Sequence, residues 1–232
     1  MKAILASQNP HKALEFAAAL PLIQVLPAPN AIPVDENAST FSGNARIKAL
    51  SYAAACDQNA LADDSGLCVD ILNGDPGVHS ARYAMLPPDV DLDPDRTAAN
   101  NRKLLRALQN VPQSQRSAHF VCALCLIIVE PADIQSIIAK HIQHPHIQYF
   151  SEDNAPLQDD LSQTHRIEIA VEGRANGYIL NALSGNGGFG YDPLFYSTEA
   201  SCTFAELTAQ QKLDVSHRGN AIRLINEILR LL

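Results

Sequence analysis

Four short stretches hold the side chains suited to gripping phosphate, a cation and an aromatic base. In LASQNPHK, Ser7, Gln8, Asn9, Pro10, His11 and Lys12 sit where an apolar run gives way to a helix. Backbone NH groups at a helix start, two short polar side chains and one lysine make a compact anion cradle. The same residues also serve as ordinary helix capping. Without glycines the stretch is not a Walker A loop. In ADDSG, Asp63 and Asp64 are adjacent, and neighbouring strand residues point to opposite faces, so one carboxylate at most faces a given pocket. An Asp at a strand end followed by a small turn suits a hard cation such as Mg2+, which takes few protein oxygens. An Asx-type turn between two strand segments is the other reading of the pair.

GNGGFGYDP gathers Gly185, Gly187, Gly188 and Gly190 around Phe189 and Tyr191. It matches G-x-G-x-x-G in form only, because that fingerprint must open a helix and Pro193 disfavours helical geometry at Asp192. Glycines beside aromatics let a flat ring approach the backbone while Phe189 or Tyr191 stacks on it; a glycine-rich loop with two core aromatics is the competing account. In the fourth stretch, Lys212 precedes SHRGNAIRLI, where Ser216 caps a helix and His217 and Arg218 occupy its first turn. Cations there oppose the helix dipole, a small cost that suggests a ligand-facing task. Arg218 offers a rigid fork of donors for carbonyl or phosphate oxygens. Lys48 in TFSGNARIKAL lies near Asn44 on a helix, where a solvated lysine is expected.

Alternating helices and strands must position these residues. The pattern predicts strands at Met1–Ala6, Ile23–Leu26, Leu67–Leu72, Ala118–Val129 and Ile167–Val171, the last extending toward Leu180. Helices are predicted at Pro10–Leu20, Thr40–Cys56, Pro94–Leu108 and Ser216–Leu232. That alternation argues for an α/β fold with one central sheet. From Pro131 to His165 the pattern dissolves into polar, His-rich and acidic text, read as an exposed insertion. His141, His144 and His146 lie there as a conceivable metal set, but Pro145 breaks helical spacing and a solvated loop is the plainer reading.

With 232 residues, 47% of them hydrophobic, the chain can bury a full core. A net charge of -8 disfavours broad nucleic-acid binding, so a phosphate ligand must meet a local cluster of cations. No apolar run reaches membrane-spanning length, and a cytoplasmic protein is expected. Five irregularly spaced cysteines suit reduced thiols, and Cys122 and Cys125 read as buried in a strand.

Taken in order, these words resemble the inosine triphosphate pyrophosphatase (Ham1-like) family. The carrying residues are S-x-N-x-x-K at Ser7 to Lys12, T-F-x-x-N-A-x-x-K-A at Thr40 to Ala49, ADDSGL at Ala62 to Leu67 and PGVHSARYA at Pro76 to Ala84. GGFGYDPLF at Gly187 to Phe195, ELT at Glu206 to Thr208, Lys212 and SHR at Ser216 to Arg218 complete the set. The resemblance implies a two-lobed α/β fold around a long mixed twisted sheet with a cleft, and a homodimer. It implies Mg2+-dependent hydrolysis of ITP, dITP or XTP to the monophosphate and pyrophosphate. On that basis Ser7, Gln8, Asn9, Pro10, His11, Lys12 and Lys48 contact the nucleotide, its triphosphate above all. Asp64 is the proton acceptor and, with Glu36, binds the metal, and Ser65 touches substrate. Phe189, Gly190, Tyr191, Asp192, Lys212, His217 and Arg218 form the nucleoside pocket. Leu183 and Ala175 stand where many members have proline and tryptophan, and the insertion at 131–165 is a further departure.

The expected selectivity reads the purine 6-position: a carbonyl meets a donor such as Arg218, whereas adenine's amino group leaves donors facing each other at roughly 1–3 kcal/mol per unpaired group. Guanine keeps the carbonyl, so its rejection needs a separate feature. Two other classes compete: a nucleotide sensor that binds without cleaving, and an aspartyl-nucleophile phosphatase that releases orthophosphate.

Overall fold

The computed structural model describes residues 1–7, 10–88, 90–158 and 160–232, with residues 10–14 described by their backbone only. The elements run β1 (Lys2–Leu5), α1 (Pro10–Ala19), β2 (Gln24–Pro27), α2 (Phe41–Cys56), β3 (Ala60–Val69), α3 (Arg96–Ala107) and β4 (Ser117–Ile128). They continue with α4 (Pro131–Ile138), β5 (Ile147–Phe150), β6 (Pro156–Leu157), β7 (Arg166–Ile179), β8 (Phe195–Ser197), β9 (Cys202–Thr203), α5 (Ala209–Val215) and α6 (His217–Leu229). A 3-10 segment, Gly77–Met85, follows β3. Among the described residues nine strands form one mixed sheet in the order β2-β1-β3-β4-β7-β5-β6, with β8 pairing β7 and β9. The expected α/β class therefore holds. Among the described residues no helix is long and apolar enough to cross a membrane.

Two compact units divide the chain. The first comprises Met1–Asp64, Ala123–Glu172 and Ala221–Leu232. In it β1 pairs in parallel with β2 and β3, and β5 runs antiparallel to β6 and β7. Ile4, Leu5, Ala45, Ala49, Leu61 and Ile127 are among the residues that close its core. The second unit comprises Ser65–Cys122 and Gly173–Asn220. Its core joins Leu67, Val69, Leu104, Leu108, Phe120, Phe195 and Phe204, and the Phe120 and Phe195 rings meet edge to face with centroids 4.8 Å apart. Edge-to-face pairs bring a positive ring rim to a negative face, so they add to plain area burial.

Helix limits follow from local capping chemistry. Thr40 accepts from the Gly43 NH to open α2, which ends where Asp57 turns left-handed at φ 52°. Asp95 accepts from the Ala98 NH to open α3. Ser216 Oγ accepts from the Gly219 NH at 3.1 Å and starts α6. Each oxygen satisfies an NH that lacks an intrahelical partner.

Three local expectations change. ADDSG is no turn: β3 runs unbroken from Ala60 to Val69, and the apolar text beyond it leaves the sheet as a 3-10 turn at Asp70–Leu72. Residues 131–165, read as patternless, hold α4, β5 and β6 and bury Ile134, Ile137, Ile147, Tyr149 and Phe150. Spaced Ile and aromatic residues carry these short elements, although the surrounding polar text masks their periodicity. His146 Nδ1 lies 2.9 Å from the Ala170 carbonyl, and the His146 NH donates to His144 Nδ1.

Candidate active site

In the first unit, Asp64 is held by α2. Asn44, 1% exposed, donates from Nδ2 to Asp64 Oδ2 at 3.2 Å and accepts the Ala38 NH on its own Oδ1 at 2.9 Å. One turn on, Lys48 donates from Nζ to the Asp63 carbonyl at 3.0 Å and pairs with Glu36 at 2.9 Å. Its side chain is only 16% exposed, so in place of the solvated lysine expected at this position the structure has a partly buried counter-ion. The α2 spacing of four residues puts Asn44 and Lys48 on one face of the helix, both turned toward β3.

Burial pushes the Asp64 carboxyl up to about 6, against the pull of Lys48 and the Asn44 hydrogen bond; Glu36 and Asp63 push it further the same way. Removing a carboxylate from water disfavours its charged form, and like charges add to that. Asp63 is 2% exposed and, one residue away along the strand, takes the opposite face. The pair thus divides as strand geometry requires, although it lies mid-strand and not at a strand end. Among the described residues no group of three His, Cys, Asp or Glu is arranged around one cation.

Ser7 is described at the end of β1, where its NH donates to the Leu5 carbonyl at 2.8 Å. Gln8 and Asn9 lie outside the described residues. So do the side chains of Pro10, His11 and Lys12, whose backbone forms the first residues of α1.

In the second unit, one cavity of about 280 Å3 is lined by Ser65, Phe189, Gly190, Tyr191, Asp192, Lys212, His217 and Arg218, eight residues that the sequence singled out. The glycine loop is shaped by Gly188 (φ 70°) and Gly190 (φ 61°), conformations that glycine adopts without a steric penalty. A Cβ at Gly188 would stand 2.2 Å from Asp192 Oδ2. That oxygen accepts the Phe189 NH at 2.8 Å and also the Lys212 ammonium, so Asp192 ties the loop to α5. Lys212 Nζ lies 4.5 Å from the Phe189 ring centroid.

The two loop aromatics do different work. Phe189 is 65% exposed and offers a ring face, whereas Tyr191 is 4% exposed and donates its hydroxyl to the Ser80 carbonyl at 2.9 Å. Burial raises the Tyr191 phenol well above its usual range, so it stays a neutral donor. His217 and Arg218 are each 6% exposed at the start of α6. The His217 ring stacks on Phe120 at 4.7 Å between centroids, which fixes its plane.

Sequence reasoning missed Ser80, Arg96, Asn100 and Phe120, which line the same cavity. A signal for Asn100 existed: Asn100 and Asn101 stand in tandem inside α3, and asparagine is a poor helix former. Cys122 and Cys125 are buried free thiols, and burial drives the Cys125 thiol up to about 12.

A cavity with donors from α6, an aromatic face and a fixed loop can receive a flat heterocycle. A buried carboxylate near neutrality beside a lysine can take a proton from water or help hold a divalent cation. The sequence model of the Ham1 family matches residues 3–148 and 157–228, leaving out eight residues of the segment read as an insertion. A dITP/XTP pyrophosphatase of Desulforamulus reducens is 40% identical over 237 residues, covering 100% of this chain and 97% of that protein. One from Photorhabdus laumondii is 38% identical, covering 99% and 98%. A solved HAM1 protein structure from Coxiella burnetii is 33% identical and superposes with a TM-score of 0.74 over the full length of both chains.

Proposed function

The chain belongs to the Ham1 family, and from that membership we propose that it hydrolyses noncanonical purine nucleoside triphosphates, dITP, ITP and XTP, to the monophosphate and pyrophosphate. The observation that carries the reading is the cavity in the second unit, where Ser65, the glycine loop, Lys212, His217 and Arg218 come together from four separate parts of the sequence. In it the purine lies against the exposed Phe189 ring, and Arg218 and His217 supply donors to the ring carbonyls.

Asp64 acts on the attacking water. With its carboxyl near 6, it is mostly ionised at neutral pH yet basic enough to take a proton, the compromise that general-base catalysis favours. The water oxygen bonds to the α-phosphorus, its proton passes to Asp64, and the bond to the bridging oxygen breaks to release pyrophosphate. Lys48 keeps positive charge beside Asp64 and Glu36, and Ser7 with the start of α1 receives the phosphate chain.

A divalent cation fits this donor set. Glu36 and Asp64 supply two carboxylates, Mg2+ needs no more than one or two from protein, and the like-charge pressure on Asp64 is what a cation relieves. When bound, Mg2+ neutralises phosphate charge that the protein's lysines alone leave standing. The reading also takes two copies of the chain as the working unit and the cytoplasm as its place.

A panel of dITP, XTP, dGTP and dATP, scored for pyrophosphate against orthophosphate with Mg2+ and with EDTA, tests it. Pyrophosphate from dITP and XTP is the expected product. Orthophosphate would point to a phosphoenzyme route, and tight binding without either product would make the protein a sensor.

A further inference from the structure

Resting on the reading of Glu36 and Asp64 as the carboxylates that hold a cation, we propose that Asn44 and Tyr52 are positioning residues for the hydrolysis, binding the Glu36 segment to one face of α2 so that Glu36 stays beside Asp64. Residues 28–40 form neither strand nor helix, so sheet pairing does not hold them. Burial nevertheless alternates along the segment: Ile32, Val34, Glu36 and Ala38 are half-buried, and the residues between them are exposed. Three contacts with α2 secure the inner side. The Tyr52 hydroxyl accepts the Ile32 NH at 3.2 Å, Lys48 pairs with Glu36 at 2.9 Å, and Asn44 Oδ1 accepts the Ala38 NH at 2.9 Å. Positions 44, 48 and 52 are four apart, which sets them in one row along the helix. The segment is bound to that row in the opposite order.

The row does more than tether a loop, because two of its members also reach β3. Asn44 Nδ2 donates to Asp64 Oδ2 at 3.2 Å, and Lys48 Nζ donates to the Asp63 carbonyl at 3.0 Å. Asn44 thus grips the segment and the carboxylate with opposite ends of one amide. Its orientation is set, since a flip would place oxygen against a carboxylate and NH2 against an NH. Tyr52, 4% exposed, holds the segment four residues before Glu36 and acts on it through the chain. Gly43 keeps the gap narrow: a Cβ there would stand 2.6 Å from the Ala38 Cβ and 3.0 Å from Thr40 Oγ1. All these residues belong to the first unit. Two carboxylates meant for one cation repel each other in its absence. Tethers that oppose this drift spare the cation the cost of ordering the segment when it binds.

The test compares the full-length parent with Tyr52→Phe, Asn44→Ala and Gly43→Ala, by calorimetric binding of Mg2+ alone to EDTA-stripped protein and by steady-state hydrolysis of dITP at a fixed Mg2+ concentration. Tyr52→Phe removes only the acceptor for the Ile32 NH, and Asn44→Ala removes both ends of the amide clamp. Gly43→Ala pushes Ala38 away while giving α2 a better helix former. The Mg2+ dissociation constant should rise about threefold to tenfold in Tyr52→Phe, the scale of one neutral hydrogen bond, and further in Asn44→Ala. kcat should fall by a similar factor while KM for dITP stays within about twofold of the parent. Gly43→Ala should weaken Mg2+ binding in the same direction, which lost helix stability cannot explain. Folded variants that keep the parent's Mg2+ affinity and kcat, or that lose stability alone, overturn this inference and leave the functional reading standing. Pyrophosphate release by the parent with Mg2+ affinity unchanged in Glu36→Gln overturns the carboxylate pair on which it rests. Failure of the parent to release pyrophosphate from dITP or XTP overturns the functional reading itself.

Discussion

Replacing Asp64 by Asn should make the metal-free protein more stable and nearly inactive. The carboxyl is lifted from its ordinary 3.8 to about 6 in the folded chain, chiefly by burial. Because the folded state holds its proton more tightly than the unfolded state, stability is fullest below about pH 4. It falls as pH rises toward 6 and is level above that. About two pH units at roughly 1.4 kcal/mol each correspond to about 3 kcal/mol. Asp64 is partly exposed, and the effective penalty after solvent screening is about 1–2 kcal/mol. Asparagine keeps an oxygen for the Asn44 Nδ2 donor and carries no charge to desolvate. Thermal and urea unfolding in EDTA should therefore show parent and Asp64→Asn alike near pH 4, with the variant ahead by that amount at pH 7.5. Adding Mg2+ should stabilise the parent and not the variant. The same variant should lose about 100-fold or more in kcat on dITP, the usual scale for a lost general base. A variant no more stable than the parent at pH 7.5 in EDTA refutes the desolvation argument, and near-normal turnover removes Asp64 from the mechanism.

Three other perturbations probe separate parts of the molecule. Gly188→Ala forces a side chain into a left-handed position against Asp192; KM for dITP should rise at least about tenfold, with a loss of about 1–3 kcal/mol in chemical denaturation. Glu168, 4% exposed, accepts Arg46 Nε at 2.6 Å and Arg166 Nε at 2.9 Å, so Glu168→Ala leaves two guanidinium groups facing one another. Urea unfolding should show a loss of about 2–4 kcal/mol, while turnover per folded molecule is retained. Arg218→Ala should reduce ITP turnover much more than residual ATP turnover, because only the 6-carbonyl gains from that donor; equal losses in a steady-state comparison would remove Arg218 from base reading.

The chemistry-bearing residues were legible where their types are rare and their local geometry is settled by near neighbours. Ser216 caps a helix and puts His217 and Arg218 in its first turn, as the order of residues required. Pro193 kept the glycine loop from opening a helix, and the loop is a turn around Gly188 and Gly190. The ion pair of Lys48 was not legible because a lone lysine on a helix gives no sign of its partners: Glu36 lies twelve residues back in a segment without regular structure. The text at 131–165 misled for a related reason. Short strands such as β5 are stabilised by pairing with β7, a partner remote in sequence, more than by their own pattern.

The sequence by itself determined the α/β class, the limits of most helices and which residue types are available for phosphate, cation and base. Those depend on capping, periodicity and covalent order, which act over a few residues. Tertiary structure alone decided that Asp64 is desolvated to a carboxyl near 6, that Lys48 is a partly buried counter-ion, and that Tyr191 is a buried donor while Phe189 is the open ring face. Burial and hydrogen-bond saturation are properties of surroundings assembled from distant segments, and a side chain's charge and free lone pairs are fixed only once those surroundings close around it.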